Sequence, residues 1–287
     1  MDHIEKHFAA LERVRLHFVT AGPQDGAPVL LLHGFPEFWY GWRHQIPALA
    51  AAGYRVIAPD QRGYNLSDRP GDWRAYDMEL LAGDMLQLMD HLGYEKVHLV
   101  GHDWGAQVAW WLAIFHPERF HDLTILNVPH PFVMSRNLRK NRRQLLKSWY
   151  IFFFQIPWLP EFLLGLGDNA GLAKLLRRSG KPSTFTDADI ARYHEAWRQP
   201  GAKRGMLNWY RAIMRRASQA MPRGTIDLPT LILWGEQDVA LSLEMAEQSA
   251  ALCRDVRLKT FPEATHWVAS DAADAVNAEL IAFFQEH

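Results

Sequence analysis

The residues with the most to offer chemically lie in Gly101-His102-Asp103-Trp104-Gly105, which follows the apolar run Val97-His98-Leu99-Val100 and opens a helix-forming stretch. Glycines on either side of Asp103 let the chain turn sharply from strand to helix, exposing that side chain at the sheet's edge and at a helix N-terminus. Free N–H groups there favour an anion, so the carboxylate should stay ionised. An ionised carboxylate in a partly dry site suits attack on a saturated carbon, because displacement leaves an ester with the protein that water then cleaves. A lone Asp before a helix can also serve merely as its cap. The double-glycine frame favours the nucleophile.

Cleaving an ester requires donors for the oxyanion and a base for the water. Val29-Leu30-Leu31-Leu32-His33-Gly34-Phe35-Pro36-Glu37 is an apolar strand ending in a turn, and the backbone N–H groups of Phe35 and Trp104 are the candidate donor pair. Pro36 admits a cis peptide in this turn. With the partners in the chain order nucleophile, acid, histidine, Leu231-Ile232-Leu233-Trp234-Gly235-Glu236-Gln237-Asp238 ends a strand with an acid, and Thr265-His266-Trp267 follows the last strand candidate. His266 is the candidate base and Asp238 the group that fixes its tautomer. Glu236 is a rival acid placed earlier in the turn, and Asn127 has no charge to offer. None of the 14 histidines stands in His-Glu-x-x-His spacing, so neither a metal site nor an organic cofactor is expected.

His33-Gly34-Phe35-Pro36-Glu37, Gly101-His102-Asp103-Trp104-Gly105 and Arg62-Gly63-Tyr64 resemble the marks of the α/β-hydrolase epoxide hydrolases, and the resemblance spans nearly the whole chain. It extends to Ser148-Trp149-Tyr150 with Gln155 and to Leu207-Asn208-Trp209-Tyr210-Arg211, which look like the family's two tyrosine-bearing segments. The resemblance implies an α/β-hydrolase fold, with a mostly parallel eight-stranded sheet and an inserted helical cap. It implies hydrolysis of a small apolar epoxide by water to a vicinal diol. Asp103, His266, Asp238, Tyr150 and Tyr210 would be catalytic, Phe35 and Trp104 would supply the oxyanion hole, and Trp104, Phe35 and Trp149 would touch substrate. Asn65 stands where the family usually has Gly, but Asn tolerates positive φ and the turn should survive.

Two phenols make chemical sense without the resemblance. Opening an epoxide releases an alkoxide, a strong base, unless its oxygen is hydrogen-bonded or protonated as the bond breaks. A phenol with pKa of about 10 stays protonated at neutral pH and is acidic enough to donate. Tyr210 shares a helical face with Met206, Leu207, Ile213 and Met214, which turns it toward the core, although an ordinary amphipathic Tyr has the same spacing. A haloalkane dehalogenase would share the Asp, the following Trp and the ester. Phe35, where many dehalogenases have Asn or Glu, and the tyrosine motifs speak against it, and Trp104 and Gln107 replace the arginines of fluoroacetate dehalogenases. A non-catalytic receptor on this fold would usually lose part of the triad, which is filled here.

The elements that must position these groups read as strands alternating with helices. Strand candidates are 14–20, 28–32, 55–58, 96–100, 122–128, 231–234 and 256–261, with helices near 77–92, 106–115 and 271–285. From 131 to 222 no convincing strand occurs, only helix-period segments broken by prolines, so the expected division is a core of 1–130 and 223–287 with a helical cap of 131–222 between. Two stretches of that cap stand out. Arg136 to Lys147 holds six basic residues and no acid, read as a solvated helix face. Ile151 to Leu164 is strongly apolar but interrupted well short of the ~20 residues of a membrane span, and is read as cap core or cavity roof.

Composition bounds the rest. With 48% hydrophobic and 22% charged residues, the 287-residue chain is neither disordered nor fibrous. A net charge of -1 provides no global field to recruit nucleic acid or an anionic membrane. One cysteine and a charged N-terminus fit a cytoplasmic protein, either monomer or homodimer. Aromatics reach 12%, with seven in 149–162 and five in 35–42, and these two segments are expected to face the nucleophile from opposite sides of a dry cavity.

Overall fold

The structure, a computed structural model, describes residues 4–215 and 224–287. Its centre is one eight-stranded sheet in the order β1-β2-β4-β3-β5-β6-β7-β8. The strands are β1 Glu5–Ala10, β2 Arg15–Ala21, β3 Pro28–Leu32, β4 Arg55–Pro59, β5 Val97–His102, β6 Phe120–Leu126, β7 Thr230–Gly235 and β8 Val256–Phe261. From β4 to β8 all pairings are parallel, and β2 pairs antiparallel with both β1 and β4. The central strands β3, β5 and β7 read as near-continuous apolar runs because helices cover both faces. Seven of the strands coincide with the sequence candidates to within about two residues, a normal uncertainty in element ends. The eighth, β1, was not recognised, because at the sheet's edge five of its six residues remain at least partly exposed and no apolar run marks it.

The chain runs from β3 outward to β4 and then back across to β5, so the connection order reverses between β3 and β5. In open parallel sheets, ligands bind beyond the carboxyl ends of the strands at such a reversal. Phe35 leaves β3 there, and Asp103 leaves β5.

Helices α1 Gln45–Ala51, α2 Met78–Leu92 and α3 Trp104–Phe115 belong to the first half of the sheet, and α10 Glu244–Ala250, α11 Val268–Asp271 and α12 Ala273–Glu286 to the second. The expected closing helix is found as α12, to within two residues, with the short α11 preceding it. Between β6 and β7 the described residues hold only helices: α4 Pro131–Lys140, α5 Arg142–Lys147, α6 Trp149–Phe153, α7 Leu159–Ser179, α8 Asp187–Trp197 and α9 Ala202–Arg215. The expected end of this insertion at residue 222, and the return to the core at 223, lie outside the described residues. α7 loses helical geometry at Leu166 to Asn169, whereas α8 starts on a full capping box between Thr186 and Asp189.

Buried polar contacts pin the second half of the insertion to the sheet. Tyr193 Oη donates to Glu37 Oε1 at 2.5 Å, and Trp197 Nε1 donates to the Pro36 carbonyl at 2.7 Å. Trp209 Nε1 reaches the Arg62 carbonyl at 2.9 Å, and Arg43 pairs with Asp189 at 3.1 Å. The Asn65 turn survives as expected: its φ is 40°, and its side-chain amide donates to Asp60 at 2.8 Å.

Candidate active site

Asp103 sits at φ 50° and ψ −121° between β5 and α3, a backbone few side chains adopt. The turn closes this tightly because Gly105 lets α3 settle against β3: a methyl there would run into the Leu32 carbonyl oxygen. Gly34 does the same from the facing loop, where a Cβ would collide with the Asp103 side chain. With both glycines in place, the Phe35 N–H donates to Asp103 Oδ1 at 2.6 Å, across a cis Phe35-Pro36 turn. Trp104 is the first residue of α3, and its N–H is among those a helix leaves without an internal partner.

The other carboxylate oxygen faces histidine. His266 Nε2 lies 3.5 Å from Asp103 Oδ2, and His266 Nδ1 lies 2.7 Å from Asp238 Oδ2. Asp238 is buried and takes further donors from the backbone N–H groups of Ala240 and Leu241, at 2.7 and 2.9 Å. Glu236, the rival acid, points into solvent and has no part in this chain of contacts. Asn127 corrects the sequence reading in another way. It carries no charge, yet its amide donates to Asp238 Oδ2 at 2.9 Å while its Oδ1 accepts from Gly235 N at 2.7 Å. Held at φ 50° at the end of β6, it bridges β7 to the acid. The only available signal was its place at a strand's carboxyl end.

Electrostatics follow from this geometry. Burial alone would raise the Asp103 carboxyl, but His266, His102 and the Phe35 N–H outweigh it and hold the group below the usual carboxylate range. Asp238 is likewise lowered, because His266 and the Asn127 and Leu241 donors overcome burial. Burial also disfavours a charged His266, yet two carboxylates raise it to about 10. Tyr150 and Tyr210 are pushed up by burial and by the charge of Asp103, so both stay protonated.

Those tyrosines come from α6 and α9. Tyr210 packs edge-to-face on Trp104 at 4.8 Å and on Phe35 at 5.3 Å, and its ring lies 5.9 Å from that of Tyr150. Two cavities share Asp103, Tyr150, Tyr210 and Leu241 in their walls, one of ≈ 300 Å³ and one of ≈ 560 Å³. Trp104, Met134, Ile213 and Met214 line the smaller; Phe35, Phe154 and His266 line the larger. Trp149 also edges the larger cavity but is 63% exposed, so it stands at the mouth and not in the wall.

The two aromatic segments divide differently from expectation. Of residues 35–42 only Phe35 reaches the cavities; Phe38, Trp39, Tyr40 and Trp42 are buried elsewhere. Of residues 149–162, Trp149, Tyr150, Phe152 and Phe154 reach them, whereas Trp158 and Phe162 face solvent. Composition counted these rings but could not say where they point. Among the described residues no cluster of side chains could hold a metal ion, and no helix is long and apolar enough to cross a membrane.

Sheet order, the strand-to-helix bend and the acid–histidine pair define an α/β-hydrolase fold. Residues 27–155 match the family described as alpha/beta hydrolase fold. The chain is 42% identical over 285 residues to the AB hydrolase superfamily protein YfhM of Bacillus subtilis, covering 99% of each. It is 39% identical over 279 residues to epoxide hydrolase 4 of Homo sapiens, covering 95% of this chain and 76% of that one. The crystal structure of Bacillus megaterium epoxide hydrolase in complex with an inhibitor superposes with a TM-score of 0.90 at 30% identity, over 97% of this chain and 100% of that one. The chain belongs to the epoxide hydrolase family of α/β-hydrolase-fold proteins.

Proposed function

We propose that the protein hydrolyses an apolar epoxide to a vicinal diol through an ester on Asp103, with residues 131–222 as the cap that closes the site. The observation that carries this reading is one carboxylate held by an N–H on one oxygen and facing a histidine on the other, in a cavity wall it shares with two protonated tyrosines. Asp103 Oδ2 attacks a ring carbon, and the carbon–oxygen bond breaks with its electrons moving to the ring oxygen. Tyr150 and Tyr210 donate to that oxygen, and the proton it takes is replaced from solvent; His266, no longer facing a charged Asp103, releases its own proton to solvent and is left neutral. Oδ1 becomes the ester carbonyl and already lies at the Phe35 N–H, with the Trp104 N–H as second donor.

Ester formation itself prepares the second step. It removes the charge of Asp103, one of the two carboxylates that hold His266 near 10, so the imidazole becomes a usable base. Water gives one proton to His266, and its oxygen bonds to the ester carbon. The resulting oxyanion collapses, releasing the diol with the water's second proton and leaving the new oxygen on Asp103. Asp238, fixed by Asn127 and two backbone N–H groups, keeps Nδ1 of His266 engaged and Nε2 aimed at the ester.

A halide would call for N–H donors at the leaving atom, whereas two phenols suit an oxygen that must be protonated. The apolar walls suit an uncharged substrate, and a protein with the single cysteine Cys253 accords with a cytoplasmic enzyme acting as monomer or homodimer. A single turnover in isotopically labelled water tests the chemistry. Label should enter the Asp103 carboxylate and be absent from the first diol, and no diol should form with Asp103→Ala. Label in the first diol, or an active Asp103→Ala protein, would overturn the reading.

A further inference from the structure

The insertion carries a surface that epoxide chemistry does not use. Of thirteen large apolar side chains exposed among the described residues, nine fall between 145 and 166. Leu146 is 75% exposed, Trp158 72%, Trp149 63% and Phe162 58%. Scattered exposed apolar residues are ordinary on a protein surface, but such a concentration in one short segment marks a contact site.

The basic run lies directly before it. Arg136, Arg139, Lys140, Arg142, Arg143 and Lys147 are all exposed, and none pairs with a carboxylate among the described residues. The first acid after them, Glu161, is taken up by Arg211 at 2.6 Å. The two strips adjoin in space as well as in sequence. Arg139 and Phe152 edge the smaller cavity together, and Leu146, Lys147 and Trp149 edge the larger.

We infer that the face formed by the end of α4, by α5 and α6, and by the first half of α7 is a docking surface for an anionic lipid bilayer. Unpaired cations beside exposed Trp, Phe and Leu are the composition with which a protein lies in a membrane interface without spanning it: the cations meet lipid phosphates, and the rings enter the headgroup boundary. Charge complementarity chooses this occupant over a second copy of the chain. A symmetric self-contact sets a patch against itself and would bring six unpaired cations against six more. The overall charge of -1 does not oppose this, because screening limits each charge to its neighbourhood. The six basic residues are exposed, as the sequence reading of a solvated face expected, and the inference adds an occupant to that face. Exposed residues of this face, Arg139 and Phe152 at one cavity and Leu146, Lys147 and Trp149 at the other, edge both cavities, which, on the epoxide reading, would let an apolar substrate dissolved in the bilayer enter without crossing water.

Vesicle flotation of the full-length protein without substrate tests the surface independently of the chemistry. Wild type should float with vesicles of equimolar phosphatidylcholine and phosphatidylglycerol at low salt, be released by high salt, and stay behind with phosphatidylcholine alone. Arg142→Glu with Arg143→Glu should lower the bound fraction by about tenfold or more, and Trp158→Gln with Phe162→Gln should also release the protein. Circular dichroism and turnover of a water-soluble epoxide should be unchanged in both variants. Failure of wild type to float with the mixed vesicles at low salt would overturn the inference, as would wild-type flotation of the charge-reversed protein. A concentration-dependent dimer dissolved by the Trp158 and Phe162 changes, with no vesicle binding, would assign the face to self-association instead.

Discussion

His266 lies between two carboxylates, and on the proposed mechanism these have opposite fates: Asp238 keeps its charge, and Asp103 loses it. His266→Gln should therefore still open the ring but fail to cleave the ester, so that intact-protein mass spectrometry after mixing with substrate shows enzyme heavier by one substrate molecule. The same residue makes stability depend on pH. Its folded pKa, raised from 6.5 to about 10, means that the stabilisation from its charged form is complete below pH 6.5 and is lost as pH rises through 10. The difference in melting temperature between wild type and His266→Gln should shrink across that window. Tyr150→Phe and Tyr210→Phe should each lower kcat by about 10²-fold or more, measured as diol formation, with a larger loss when combined. At this scale the sequence was readable wherever chemistry is announced by local pattern: Asp103 between its glycines, His266 after the last strand, Asp238 at the end of β7. Asn127 escaped because its contribution is geometric. A left-handed backbone and an amide spanning two strands leave no mark in residue type.

Elements place those groups, and their tolerance is small. Gly105→Ala would set a methyl against the Leu32 carbonyl and drive α3 off β3, shifting Asp103 away from the Phe35 N–H. We expect a loss of stability at the upper end of single substitutions, above about 4 kcal/mol, read by chemical denaturation or as failure to accumulate folded protein. Apolar runs revealed the central strands because these are covered on both faces. β1 gave no such run, since an edge strand with mostly exposed residues leaves too few buried positions to read. The aromatic segments failed for a related reason. Tyr40 donates to Asp189 and Phe38 packs on Tyr193, while Trp42 is buried against His102, so rings assigned to the cavity serve the packing of the core and its contact with the insertion.

Across the whole molecule the insertion is held unequally. α8 and α9 are tied to the sheet by Tyr193, Trp197, Trp209 and the Arg43–Asp189 pair, most of them buried. α5, α6 and the start of α7 instead present much of their apolar surface outward. Amide hydrogen exchange should accordingly show α8 and α9 protected nearly as well as the central strands, with α5 and α6 exchanging faster.

The bond from Trp197 to the Pro36 carbonyl reaches the very loop that carries the Phe35 N–H. It makes the insertion two parts with different licence to vary. Exchanging α4 to α7 for another sequence that keeps Tyr150 would redraw the cavity walls and leave the Phe35 N–H where it is. Exchanging α8 would unsettle the chemistry itself, so a recombination experiment seeking new specificity should cut the chain before residue 184 and leave everything after it untouched.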